Sequence, residues 1–161
     1  MPGSREQPPT PPRAVPPDGV RDVPLPRPYD FDASLRFVPF GLFDPSCRRG
    51  PGALWQAVRT PAGPGTLWLR HREGTARAEA WGAGTEWVLA RVEALLGLHD
   101  DPASFTPPAG PLATLARRGR GMHLVRVPGI FDTLCQVILQ QRVSFRDAAR
   151  SHRRIVGSFD E

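Results

Sequence analysis

The stretch "FDTLCQVILQQRVSFRDAARSHRRIVG", Phe131 to Gly157, decides the fold of the second half of this chain. Its apolar residues recur at three- and four-residue spacings, which predicts one helix over residues 130–141 and a second helix that begins at Ser144. Ser144 is a suitable cap, because Asp147 occupies the third helical position of a capping box. The first helix has an apolar face formed by Ile130, Leu134, Val137 and Ile138. The sequence therefore predicts two helices joined by Gln-Gln-Arg-Val-Ser.

The second helix has two chemically different faces. Its apolar stripe contains Phe145, Ala148, Ala149, His152, Ile155 and Val156. The opposite face carries Arg146, Arg150, Arg153 and Arg154. A histidine on an apolar stripe can be a ligand or a proton carrier, but it is more often a hydrogen-bonded core residue, and we favour that interpretation for His152.

Positive charge is concentrated in the same half of the chain. The net charge is +5, yet residues 117–154 contain nine arginines against Asp132 and Asp147. A basic field confined to one segment is typical of a protein that binds phosphates. A solvated helix face with no partner is the alternative, and composition alone does not separate the two.

The first half of the chain predicts a proline-rich leader and a small α+β unit. Residues 1–28 contain ten of the 20 prolines and are expected to form a disordered or extended leader that builds no core. In "PYDFDASLRFV" the apolar residues Phe31, Leu35 and Val38 predict a short helix behind a possible Asp32 cap. Three alternating runs, residues 53–60, 65–72 and 76–81, predict an antiparallel meander.

A helix over residues 85–98 is expected to cover this meander. Three alanines of the last run, Ala76, Ala78 and Ala80, lie on one face and leave room for close packing. The segment "HDDPASFTPPAGP" interrupts the pattern. We therefore expect an α+β domain over residues 29–100 and the start of an α-helical domain over residues 110–161, with "LATLARR" as a short helix.

Several classes of protein are disfavoured by the composition. There is no apolar run long enough to span a membrane, and the leader lacks the apolar core of a signal peptide. Cys47 and Cys135 lie far apart without a CxxC spacing, and the four histidines are scattered, so we expect two reduced thiols and no metal or other cofactor. The chain is expected to be a soluble, cytoplasmic monomer that does not bind membranes.

At this point the residues resemble a known family. "FDTLCQVILQQRVS" is similar to the F-[ED]-x-L-x-x-x-I-L-x-Q-x-V-S signature of the 3-methyladenine DNA glycosylase II family, in the helix-hairpin-helix superfamily. The resemblance covers residues 28–161, because "PYDFDASLRFV", the meander, the Trp87 helix and "GMHLVRVPG" follow in the family's order. It implies an α+β domain followed by the first helices of an all-α glycosylase domain.

The resemblance also implies roles for individual residues. Gln141, Arg142 and Ser144 match the DNA-binding loop, and Arg142 stands where the family places the wedge that fills the gap left by a flipped base. The family's wedge is apolar, so Arg142 is a departure, and a solvated loop charge is the alternative. Phe37 matches an aromatic residue of the family's base pocket, although a core role is the alternative for a phenylalanine at helical spacing.

The implied function is base-excision repair on double-stranded DNA that contains alkylated bases. The family's Gly-rich hairpin and catalytic Asp lie downstream of the I-L-x-Q-x-V-S loop, and this sequence reaches neither. None of Asp132, Asp147, Asp160 and Glu161 is expected to replace that Asp, so we assign no catalytic residue and expect no hydrolysis by this chain alone. A non-catalytic, sequence-independent DNA-binding module is the alternative, and a purely structural α+β protein is a third interpretation.

Overall fold

The structure, a computed structural model, describes residues 15–40, 44–127 and 129–158. Its centre is a five-stranded antiparallel sheet with the order β1-β5-β4-β3-β2. The strands are β1 (Gly19–Pro24), β2 (Cys47–Gly50), β3 (Ala53–Thr60), β4 (Gly63–Arg72) and β5 (Thr75–Trp81). The helices are α1 (Phe31–Ser34), α2 (Thr85–Leu89), α3 (Val92–Leu95), α4 (Pro111–Arg118), α5 (Ile130–Leu139) and α6 (Phe145–Gly157), and a 3₁₀ turn spans Pro102–Ser104.

The three predicted strands are confirmed as β3, β4 and β5, but two more strands flank them. The prediction that residues 1–28 form a disordered leader is wrong for Gly19–Pro24, which pairs with β5 as an edge strand. Val23 and Leu25 are buried there, so this segment does contribute to the core. Residues 1–14 lie outside the described part of the chain.

The core lies between one face of the sheet and helices α1 to α3. Ala76, Ala78 and Ala80 are fully buried, as the predicted close packing of a helix requires. Gly65 on the neighbouring strand has the same role, because a Cβ there would lie 3.1 Å from Val88 of α2. The largest fully buried side chains are Leu35, Leu54, Leu67, Leu69, Val92, Leu95 and Leu96.

The helix predicted over residues 85–98 is two short helices, α2 and α3. In a continuous helix the Arg91 backbone N–H would bond the Trp87 carbonyl. At the break this carbonyl instead accepts from the Arg91 guanidinium at 3.1 Å. That N–H instead bonds Val88 three residues back. The two helices nevertheless cover the sheet as expected, because Val88, Val92, Leu95 and Leu96 are all buried.

Helix α1 is capped by Asp30, whose carboxylate accepts from the Ala33 N–H at 2.9 Å. The predicted cap, Asp32, is wrong by two residues, since its carboxylate accepts from the Gly52 N–H at 3.0 Å instead. Just before the helix, the Tyr29 hydroxyl donates to the Leu96 carbonyl at 2.7 Å. Burial raises the pKa of Tyr29 from 10.0 to about 12.

The connector that follows α4 packs against the α+β unit. Its His123 N–H donates to the Ser34 hydroxyl at 3.0 Å, and the imidazole Nδ1 lies 3.1 Å from the Gly97 carbonyl oxygen. Three residues later the Arg126 N–H donates to the Ala94 carbonyl at 2.9 Å. These bonds fix the direction in which the chain leaves the sheet and approaches α5.

Candidate nucleic-acid interface

Helices α5 and α6 are the predicted pair of helices, and a tight loop of five residues joins them. We call the two helices and their loop the α5–α6 hairpin, which is distinct from the family's Gly-rich hairpin. Helix α5 ends at Leu139, where the Gln140 N–H still bonds the Gln136 carbonyl at 3.1 Å. The Gln141 N–H bonds the Ile138 carbonyl at 3.1 Å, which closes the last turn. The chain then reverses at Arg142, which has a φ of 62°.

Arg142 therefore occupies the left-handed region, where a residue with a Cβ is unfavourable by about 1–2 kcal/mol. Such residues are uncommon and cluster at functional sites. The side chain of Arg142 is exposed, as are those of Gln141 and Ser144. The three DNA-binding candidates thus lie together on one solvent-facing loop.

Ser144 has a structural function in addition to any DNA contact. Its hydroxyl accepts from the Asp147 N–H at 3.3 Å and donates to the Asp147 carboxylate at 2.6 Å. This confirms the predicted cap and places a carboxylate in the first turn of α6, where the helix dipole favours it. Asp147 also pairs with Arg150 at 3.2 Å, so both of its oxygens have a partner within the helix.

The orientation of α6 is set by its contacts with Phe40, in the segment after α1. The Phe40 ring meets Phe145 edge to face at a centroid distance of 5.4 Å and meets His152 in the same way at 5.0 Å. Ala148 is fully buried and His152 is 7% exposed, so this face of α6 packs against the α+β unit. His152 is a core residue as predicted, although its Nδ1 has no hydrogen-bond partner in the described part of the chain.

The arginines of α6 lie on the opposite side of the helix. At 3.6 residues per turn, Arg146, Arg150, Arg153 and Arg154 occupy an arc of about 100° that points away from Ala148 and His152. All nine arginines of residues 117–154 are exposed. The loop and this face of α6, which we call the arginine face, together form a surface suited to a polyanion.

Helix α5 leaves its apolar stripe in contact with solvent. The exposed fractions are 87% for Ile130, 76% for Phe131, 52% for Leu134, 51% for Val137 and 54% for Ile138. These residues share one side of α5 and form an apolar surface of a kind that single-chain soluble proteins usually cover. We call this surface the α5 stripe.

Phe37 lies in the turn that follows α1 and is 74% exposed, so the alternative of a core role is wrong. One face of its ring is occupied by the Arg36 guanidinium, which lies 4.6 Å from the ring centroid. Within residues 15–40, 44–127 and 129–158, no ring contact or hydrogen bond joins Phe37 to the hairpin loop. The structure thus brings the loop residues together and leaves Phe37 on a neighbouring turn, three residues before Phe40.

Sequence reasoning missed two residues of this region. Arg36 has no sequence signal beyond its charge, and its position over the Phe37 ring follows from the folded structure. Phe40 follows Pro39, and no periodicity connects it with a helix more than 100 positions later. Contacts between segments this far apart have no local signal in a single sequence.

No catalytic or metal centre is apparent in the described part of the chain. Asp132 and Asp147 are both exposed, and Asp160 and Glu161 lie outside the described residues. The described residues contain no cluster of three or more His, Cys, Asp or Glu side chains that could hold a metal ion. Cys47 and Cys135 are free thiols, and burial raises the pKa of Cys47 well above its usual value.

Among the described helices, none has the length and hydrophobicity to cross a bilayer.

The fold is similar to that of the 3-methyladenine DNA-glycosylase from Archaeoglobus fulgidus, with a TM-score of 0.64 and 18% sequence identity. The match covers 86% of this chain and 50% of that one, so this chain spans about half the length of its structural neighbour. No protein-family model matches the sequence, and no curated protein matches it. The expected likeness to a 3-methyladenine DNA glycosylase is therefore confirmed at the level of the fold.

Proposed function

We propose that this chain supplies the wedge loop between α5 and α6 and one wall of the base pocket of a DNA glycosylase of the helix-hairpin-helix superfamily. The reaction would be hydrolysis of the N-glycosidic bond of an alkylated base, of the 3-methyladenine type, in double-stranded DNA. The observation that carries the proposal is the exposed Arg142 at φ 62°, at the tip of a hairpin that carries the arginine face, in a fold similar to a known glycosylase.

The hairpin suits an enzyme that removes a base from the stack. Extrusion of a base costs a few kcal/mol and leaves a gap that a side chain has to occupy. The planar guanidinium of Arg142 stacks on bases and also contacts phosphate, so it performs both tasks at the tip of the loop. The arginine face would hold the backbone on one side of the flipped nucleotide, and Gln141 would contact the strand beside the gap.

Phe37 would form one wall of the pocket for the flipped base. An alkylated purine is electron-poor and often cationic, so an aromatic face attracts it. In this structure the Arg36 guanidinium already lies on that ring, so the base would have to displace it or use the other face.

Alkylated bases are good leaving groups, and a single carboxylate that faces the developing positive charge on the sugar suffices for hydrolysis.

We assign none of the described residues to the role of that carboxylate or to the Gly-rich hairpin that grips the DNA backbone in the family. Asp147 caps α6 and pairs with Arg150, so it is not available to face a sugar. The 161-residue chain is then expected to bind DNA without releasing a base.

The test compares a duplex that contains one abasic site with an intact duplex of the same sequence. The abasic site already provides the gap, so the wedge enters without the cost of extrusion, and about tenfold tighter binding corresponds to about 1.4 kcal/mol. Arg142→Ala is expected to lose this preference, and Arg142→Leu is expected to retain it as an apolar wedge. Arg59→Ala, on β3, is the matched control. The proposal fails if Arg142→Ala prefers the abasic duplex as strongly as the unchanged chain does.

A non-catalytic DNA-binding module is the second candidate. The position of Asp147 in the α6 cap favours it, because this carboxylate, in the first turn after the loop, already has structural partners. It predicts equal affinity for intact and abasic duplexes, strong dependence on salt, and no change on mutation of Arg142 beyond the loss of one charge. The comparison of duplexes therefore separates the two candidates.

A further inference from the structure

The α5 stripe lies on the side of α5 that points away from α6. Helix α5 packs against α6, and its partly buried residues are Cys135, Gln136 and Leu139. At 100° per residue these three residues share one side of the helix, and the centre of the stripe lies about 150° around the helix axis from them. The stripe is therefore open to a partner of the size of another helix.

The residues of the stripe are arranged symmetrically about Leu134. Phe131 and Val137 lie three positions to either side of it, and Ile130 and Ile138 lie four positions to either side. If a second copy of α5 packs antiparallel across a two-fold axis at Leu134, the two Leu134 side chains meet on the axis. Phe131 of one copy then meets Val137 of the other, and Ile130 meets Ile138. A two-fold interface requires a patch that is complementary to itself, and this spacing provides one.

The charges of α5 do not oppose such a contact. Asp132 is the only charged residue within Ile130–Leu139, and it lies about 160° around the helix axis from the centre of the stripe. The centre of a protein interface is typically depleted of charged residues and enriched in aromatic ones, as the stripe is with Phe131. The stripe therefore has the composition of an interface core.

The area of the stripe is sufficient for a weak dimer. Its five side chains are between 51% and 87% exposed, so covering them would remove roughly 500–600 Å² of apolar surface per copy from water. Two copies would then bury about 1,000–1,200 Å², which is the lower end of the range for specific interfaces. An affinity in the micromolar range is expected for a contact of this size.

We propose that the α5 stripe is the interface of a two-fold symmetric homodimer, in which α5 packs antiparallel against α5 of a second copy. The dimer replaces the monomer that the sequence led us to expect. Because the helices run antiparallel, the two α5–α6 loops lie at opposite ends of the pair. The dimer does not depend on the proposed function, since neither DNA nor the loop residues take part in the contact.

Sedimentation equilibrium of the full chain, from about 2 to about 200 µM, brackets a micromolar dissociation constant. The average mass is expected to rise from 17.7 kDa toward twice that value and to stop there, because a two-fold contact closes on itself. Leu134→Glu brings like charges together on the axis and should raise the dissociation constant more than about tenfold. Leu115→Glu on α4 is the matched control, because Leu115 is 59% exposed and Leu134 is 52% exposed, and it should dimerise as the unchanged chain does.

A pair of double variants tests the antiparallel register. Positions 130 and 138 lie about 12 Å apart along α5, too far to pair within one helix, but they face each other twice across the axis. Ile130→Glu combined with Ile138→Arg should therefore dimerise more than about tenfold more tightly than Ile130→Glu combined with Ile138→Glu. Both variants change the same two positions, so they keep the experiment informative if Leu134→Glu loses helix content by circular dichroism.

The proposal is overturned if the unchanged chain stays at 17.7 kDa at every concentration, and the stripe is then left for a different polypeptide. A mass that continues to rise beyond twice this value also overturns it, because the surface then aggregates without forming a closed pair. If Leu115→Glu weakens association as much as Leu134→Glu does, the contact lies elsewhere. If the two double variants associate equally, α5 does not pack antiparallel about Leu134.

Discussion

The arginine face gives the most direct quantitative test of DNA binding. A protein that neutralises Z phosphates loses affinity as salt rises, with a slope of about −0.9Z in a plot of log affinity against log salt. Arg142 and the four arginines of α6 supply five positive charges on this surface, and Asp147 offsets one of them through its pair with Arg150. With about four effective contacts the slope is about −3.6, and the affinity falls about 150-fold between 50 and 200 mM salt.

The perturbation is Arg146→Gln combined with Arg154→Gln. Glutamine has nearly the helix propensity of arginine, so α6 should remain folded. Each lost contact reduces the slope by about 0.9, so the double variant should show a slope of about −1.8 and a drop of only about 12-fold over the same salt range. The matched control is Arg59→Gln combined with Arg72→Gln, which removes two exposed arginines from β3 and β4.

Fluorescence anisotropy of a labelled duplex at four salt concentrations measures both slopes. The control should have the slope of the unchanged chain. If the control loses as much slope as the α6 variant, DNA binds through net charge and not through the arginine face. If neither variant changes the slope, the assignment of this surface to DNA is wrong.

Three further results are expected from single substitutions. Arg142→Gly should leave the free energy of unfolding within about 1 kcal/mol of the original, because glycine accepts a positive φ, whereas Arg142→Val should cost more, as urea unfolding would show. The Tyr29 hydroxyl keeps its proton in the folded state up to about pH 12, because its pKa is raised there. Its contribution to the free energy of unfolding is therefore complete below pH 10 and is lost as the pH rises from 10 to 12. The melting temperature of Tyr29→Phe should not show this decline. Leu134→Gln should cost less than about 1 kcal/mol because the side chain is half exposed, whereas Leu54→Ala in the core should cost about 2–5 kcal/mol.

The sequence predicted the central strands and missed the edges of the sheet for a physical reason. The central strands β3 to β5 have one face in the core, so their alternation of apolar and polar residues is strong. Edge strands carry charges and prolines that prevent pairing with another chain, and these residues weaken the same signal. β2 reads Cys-Arg-Arg-Gly, and β1 ends at Pro24. For β1, the only sign of ordered structure is the pair of apolar residues Val23 and Leu25, which are buried.

At the candidate site, local features were predictable and distant contacts were not. The Ser144 cap and the two helices follow from residues three or four positions apart, and the structure confirms them. The left-handed conformation of Arg142 has no such signal, because the residue that usually marks it is glycine. The roles of the loop residues and of Phe37 were inferred from the resemblance to the glycosylase family, and they stay predictions until DNA binding is measured.

Phe40 links the α+β unit to the α5–α6 hairpin and determines which side of α6 faces solvent. Its ring packs between Phe145 and His152, and its N–H bonds the buried Asp44 carboxylate at 2.7 Å, so the ring belongs to the α+β unit and not to the hairpin. Since the arginines lie on the side of α6 opposite this contact, the α+β unit sets their direction although it supplies none of them. The position of Arg142 at the tip of the loop follows from the same contact, because the loop is short and its end at Ser144 is fixed by the α6 cap. The α+β unit is therefore the support that orients α6 and the loop before it.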